Sequence, residues 1–159
     1  SCSSCPAGTY SEYDAEKGSA GCTVCALGST SPEGASSCSP CQPPTFSDDG
    51  LTCKECAGEG QYSDMHGAFV CKTALPGFKP NSYHTGVVPC PAGKFSIGGK
   101  TLCSSCDSNE YSTGGASNCQ FCESGSVPNN DLTGCDTCLA GTFSSIGETS
   151  CSNCGAGRY

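Results

Sequence analysis

Tryptophan is absent from this sequence, methionine occurs once and histidine twice. Leucine, isoleucine and valine are also sparse, so the side chains that fill an ordinary globular interior are scarce and one large core is not expected. Lysine and arginine together number seven against fifteen Asp and Glu, for a net charge of −8. Binding a phosphate backbone requires a basic stripe that displaces counterions, so no nucleic-acid partner is expected. No run of eighteen or more apolar residues occurs, and with it goes the expectation of a membrane-spanning helix in this segment. No charged-then-apolar leader opens the chain at Ser1, which reads as a signal peptide already removed. The Asn-x-Ser/Thr sequon is missing, so any glycoprotein character would rest on O-linked glycans carried by the many Ser and Thr residues.

Cysteine, by contrast, is abundant: 18 of 159 residues, beside 22 glycines and 10 prolines. Cysteine above a tenth of the composition indicates a disulfide scaffold, and an even number at this density indicates an oxidising compartment. The expected location is therefore extracellular, secreted or on a cell surface.

The cysteines also carry the organisation. CxxC pairs stand at Cys2/Cys5, Cys22/Cys25, Cys38/Cys41, Cys53/Cys56, Cys103/Cys106, Cys119/Cys122, Cys135/Cys138 and Cys151/Cys154. From Cys103 the period is 16 residues without slippage, whereas the earlier spacings are 20, 16 and 15. An internal repeat of this length points to a stacked array rather than a globule. The expected organisation is variable-length repeats over 1–71, an insert over 72–89 that interrupts the array, and regular repeats over 90–159. Residues 150–159 (SCSNCGAGRY) align with residues 1–10 (SCSSCPAGTY), as expected for a fragment of a longer tandem array.

Within each unit the pattern runs Cys-Pro-Ala-Gly-Thr-aromatic-Ser, with the aromatic five residues after the second cysteine of a pair. Tyr10, Phe46, Phe95, Tyr111, Phe143 and Tyr159 hold that place, Tyr62 lies one residue later, and Thr30 and Val127 replace the ring in two units. One large apolar group per unit is expected to stack on neighbouring units. Gly8, Gly28, Gly93, Gly125, Gly141 and Gly157, with Asn109, lie three after the cysteine and predict a left-handed turn there. Recurrent Gly, Ser and Pro leave no 3.6-residue period, so little or no helix is expected. The fold expected is small and disulfide-rich: an elongated ladder of β-hairpin and loop repeats of about 16 residues, each strand short and bounded by turn residues. A single unit buries too little to offset its ordering entropy, so crosslinks and neighbours must hold it.

Two pairings fit the cysteine count. In one, the second cysteine of each pair closes a ring with the first of the next: Cys5 with Cys22, Cys25 with Cys38, Cys41 with Cys53, Cys56 with Cys71, Cys90 with Cys103, Cys106 with Cys119, Cys122 with Cys135 and Cys138 with Cys151. Cys2 and Cys154 are then left at the two ends. In the other, each CxxC is its own bridge and Cys71 pairs with Cys90. Rings are favoured because Cys71 and Cys90 then form an ordinary junction expanded by intervening residues, and because CxxC bridges are strained and readily reduced.

CPAGTY, CPAGKFSIGG and the CxxC that follows resemble the ephrin-receptor-like cysteine-rich repeats. More loosely they are similar to the cysteine-rich modules of the growth-factor-receptor and tumour-necrosis-factor-receptor superfamilies. The resemblance covers nearly the whole chain outside 72–89, and it implies ring-type pairing and an elongated ladder. ESGSV and DSNEY depart from the pattern by lacking Pro-Ala-Gly. No ligand is implied, because such repeats occur both in receptors and in long surface arrays.

Residues 72–89 (KTALPGFKPNSYHTGVVP) concentrate Leu75, Phe78, Tyr83 and His84 together with Lys72 and Lys79, close to Lys54. They read either as an enlarged loop packing its own apolar groups or as a docking site for a neighbouring chain. Other chemistry is set aside. Paired CxxC motifs can hold tetrahedral zinc, but here the motif recurs along the whole chain beside lone Cys71 and Cys90. No βαβ pattern surrounds a CxxC as a thioredoxin-like site requires, and the acidic residues match no calcium-loop spacing. No cofactor, metal or catalytic activity is expected. The expected function is structural: a rod, filament or cell-surface-fibre block that self-associates or joins other extracellular structural proteins. The alternative is a ligand-binding or adhesion ectodomain of a cell-surface receptor.

Overall fold

The computed structural model describes residues 3–12 and 21–156. Among them there is no helix, and all regular structure is nine antiparallel two-stranded hairpins. In chain order these pair Thr9–Tyr10 with Thr23–Val24, Ser29–Thr30 with Ser39–Pro40, Thr45–Phe46 with Lys54–Glu55, and Gln61–Tyr62 with Lys72–Thr73. There follow Phe78–Pro80 with Val87–Pro89, Lys94–Phe95 with Ser104–Ser105, Glu110–Tyr111 with Gln120–Phe121, Ser126–Pro128 with Cys135–Thr137, and Thr142–Phe143 with Ser152–Asn153. This is a small disulfide-rich repeat ladder.

The cysteines close eight rings: Cys5–Cys22, Cys25–Cys38, Cys41–Cys53, Cys56–Cys71, Cys90–Cys103, Cys106–Cys119, Cys122–Cys135 and Cys138–Cys151. Cys154 is a free thiol, and Cys2 lies outside the described residues. The reason no CxxC closes on itself is visible in the strands. The two residues between the cysteines are the return strand of a hairpin, whereas the sequence pattern placed that return ahead of the cysteine. Extended backbone separates residues i and i+3 by about 10 Å, beyond the reach of a disulfide, while the ring partners stand 5.5–5.8 Å apart at Cα.

The segment 72–89 is not an interruption. Ala74 occupies the place of a second cysteine, with 16 residues to Cys90, and Val87 that of a first, with 16 residues to Cys103. Val87 faces Pro80 in its hairpin as Cys135 faces Pro128, and Ala74 is buried like Cys41, Cys56 and Cys90. It is a complete repeat whose disulfide has been replaced by Ala and Val. Counting frames on cysteine alone hides it.

Two compact units follow from the packing: residues 1–73 with 81–86, and residues 74–80 with 87–159. Within the first, the Gly8 N–H donates to Ser31 O (2.8 Å) and Gly28 N–H to Ser47 O (2.7 Å), while Cys25 and Cys41 donate back to the carbonyls of Gly8 and Gly28. The second unit repeats the exchange: Gly77, Gly93 and Gly125 donate to Ser96, Ser112 and Ser144, and Cys90, Cys106 and Cys138 donate to those glycines' carbonyls. Each repeat is thus fixed in register on the next by the same pair of backbone bonds.

Candidate interaction surface

What the ladder buries decides what it leaves outside. The interior consists of the second cysteines, Ala68 and Ala74, and a column of hydroxyls: Ser31, Ser47, Ser63, Ser96, Ser112 and Ser144 are all buried, Ser47 completely. These serines immediately follow the aromatic position. Side chains alternate along a strand, so the serine turns inward and the aromatic turns the other way. A buried hydroxyl must be bonded, and the Oγ–H of Ser31 donates to Thr9 O (2.7 Å), that of Ser112 to Lys94 O (2.8 Å) and that of Ser144 to Ser126 O (2.9 Å). In each case the acceptor belongs to the preceding repeat. This column was missed from sequence because serine ordinarily lies outside; its signal is recurrence six residues after the second cysteine.

The aromatic residues expected to stack are not part of that interior. Tyr10, Phe46, Tyr62, Phe95 and Tyr111 are half-buried, Phe143 is exposed, and Tyr159 lies outside the described residues. The glycine turns do take positive φ at Gly8, Gly28, Gly93, Gly125 and Gly141, with Gly157 outside the described residues. Asn109 does not share it: among the described non-glycine residues only His84 and Leu132 have positive φ.

Those two occupy equivalent places in one turn. Pro80-Asn81-Ser82-Tyr83-His84-Thr85-Gly86 and Pro128-Asn129-Asn130-Asp131-Leu132-Thr133-Gly134 share Pro-Asn and Thr-Gly. In both, the Asn N–H donates to the final Gly carbonyl, at 2.9 and 3.0 Å. The Asn side chain then pins the turn: Asn81 Oδ1 accepts from Thr85 N (3.0 Å) and Asn129 Oδ1 from Thr133 N (2.9 Å), and each Nδ2 donates to the Thr hydroxyl at 3.1 Å.

The four docking candidates do not share one environment. Tyr83 and His84 belong to the first unit, Leu75 and Phe78 to the second. Leu75 and Tyr83 are open to solvent, at 71% and 76%, whereas Phe78 and His84 are half-buried. His84 is spent internally. Its carbonyl accepts from Ser63 N (2.9 Å), and Nδ1 stands 2.7 Å from Gln61 O, an acceptor that requires the proton on Nδ1. Tyr83 and His84 line a shallow cavity of about 270 Å³ with Pro44, Glu55 and Ala57. The basic residues nearby are also engaged: Lys72 pairs with Asp64 at 2.7 Å, and Lys54 pairs with Asp48 and Asp49.

Asp49 is the most strongly perturbed carboxylate described. Its Oδ1 accepts from Leu51 N (2.8 Å) and Thr52 N (3.1 Å). The Leu51 amide first, then the Lys54 ammonium, hold its carboxyl well below the ordinary value of 3.8. Such bonds favour the charged form, and they close the turn at 47–52 in a repeat whose ring is the shortest, at a separation of 12 residues.

Exposed apolar side chains are scattered through both units. Val24, Leu27, Met65, Phe69 and Val70 in the first, and Ile97, Leu102, Leu139 and Ile146 in the second, are each more than half exposed. Among the described residues no three His, Cys, Asp or Glu side chains come together as a metal centre, and no helix is long and apolar enough to cross a membrane. Compared with known proteins, the chain matches no family model and no curated sequence.

Proposed function

We propose that the protein is an extracellular structural repeat protein, a rod or filament block in which disulfide rings are joined in register. The observation that supports this most directly is the bond exchange between successive repeats. The same glycine N–H and carbonyl, and the same cysteine N–H, recur at each step in either unit, so the array's shape resides in backbone and covalent bonds rather than in particular side chains. That leaves the outward strand positions free to vary and to carry apolar groups for contact with further copies. The role assigned is mechanical and involves no catalysis. Rings in this number persist only where thiols stay oxidised, which places the function outside the cell.

A ligand-presenting or adhesion ectodomain is the second reading, favoured by the exposure of Tyr83 and Leu75. Negative-stain electron microscopy over a concentration series separates the two. Regular filaments or side-by-side bundles support the structural role; a monomer at all concentrations that captures a soluble partner through the Tyr83 turn overturns it.

A further inference from the structure

We infer that residues 74–87, the one repeat that keeps its fold without its disulfide, are the reversible extension element of the array. The use of such an element rests on the load-bearing reading above. Its existence rests only on connectivity.

In the eight ringed repeats the disulfide bypasses 12 to 17 residues of chain. Tension along the chain then runs through sulfur and through the two residues of each CxxC, leaving the loops unloaded. A ring has no length to give without breaking a covalent bond. Between Cys71 and Cys90 no disulfide exists, and all 18 intervening residues lie in the load path. The division of the chain into two compact units falls inside this same repeat.

What closes the repeat is noncovalent and modest. Its hairpin has three register pairs, of which Val87↔Pro80 and Pro89↔Phe78 each include a residue with no N–H to donate. The return strand is exposed along its length. His84 holds φ at +54°, a conformation unfavourable for a side chain with a Cβ. The turn is held mainly by Asn81, whose Oδ1 accepts from Tyr83 N (3.2 Å) and Thr85 N (3.0 Å). Opening the loop between Ala74 and Val87 would lengthen the chain on the order of 40 Å at roughly 3.5 Å per residue. Because no covalent bond breaks, the loop refolds when tension is released.

The test is single-molecule optical tweezers on the oxidised chain, with handles at its two ends. The expected trace shows one step of contour gain on the order of 40 Å, reversing on relaxation. In A74C/V87C, with ring closure verified by intact mass, the step should be gone. In N81A it should keep its length and move to lower force. A wild-type trace with no such step, a step persisting in the closed double variant, or an unchanged force in N81A would overturn the inference. If the double variant fails to close its ring, N81A decides alone. Failure here is distinct from failure of the structural role: a step without filaments in the microscope defeats only the latter, and filaments without a step defeat only the former.

Discussion

Alternate repeats of the ladder approach so closely that a single methyl group can report the contact. Gly93 and Gly125 hold the same place in two ringed repeats of the second unit, with φ of +78° and +86°. They make the same backbone bonds, Gly93 to Ser112 O and Gly125 to Ser144 O, both at 2.9 Å. Alanine at either site incurs the left-handed penalty of about 1–2 kcal/mol. Their surroundings differ. A Cβ on Gly93 would stand 2.7 Å from the carbonyl oxygen of Asp131, two repeats further on, whereas one on Gly125 would meet nothing within 4 Å. Backbone cannot swing aside as a side chain can, so overpacking adds about 1–3 kcal/mol at Gly93 alone. Gly93→Ala should therefore cost about 3–4 kcal/mol and Gly125→Ala about 1–2, a difference of about 2. Guanidinium unfolding with the disulfides intact measures both, and amide exchange at Ser112 and Ser144 localises the loss. Equal costs within about 0.5 kcal/mol would refute the contact between alternate repeats, since the shared φ penalty would then explain everything.

Three further outcomes follow. Ser144→Ala should cost about 1–2 kcal/mol by leaving the Ser126 carbonyl without its donor, read by the same unfolding assay, while exposed Ser152→Ala should change stability by less than about 0.5. Leu132→Gly should stabilise by up to about 1 kcal/mol by relieving positive φ in a side chain, seen as a raised denaturation midpoint. The turn around Asp49 contributes stability while its carboxylate is charged. That contribution is present above an unfolded pKa near 3.8 and is lost as pH falls through the lower folded value. Exchange of the Leu51 and Thr52 amides should accelerate selectively on acidification, and Asp49→Asn should weaken that pH dependence.

The ring frame and the glycine turn were legible because both depend on residues with strong covalent or conformational requirements. A cysteine needs a partner, and a left-handed turn excludes most side chains with a Cβ. The interior was not legible. Serine is read as a surface residue, and only in three dimensions does Ser31, Ser112 or Ser144 prove to bond the preceding repeat's backbone. Aromatics were given the packing role, yet alternation along a two-residue strand sends them to the face opposite the buried hydroxyl. The repeat at 74–87 was hidden because Ala74 and Val87 keep the spacing but not the chemistry. Its shared Pro-Asn and Thr-Gly positions with 128–134 were the available signal. Docking residues were the least legible, since His84 draws attention as a rare side chain but is bound to Gln61 O.

Disulfide mapping by mass spectrometry of the unreduced protein, after alkylation of free thiols, tests the ringed ladder most directly. The account predicts peptides joining Cys90 to Cys103, Cys106 to Cys119 and the six other ring pairs, with the Cys154 thiol alkylated. Recovery of Cys103 bonded to Cys106, or of Cys71 bonded to Cys90, would contradict it.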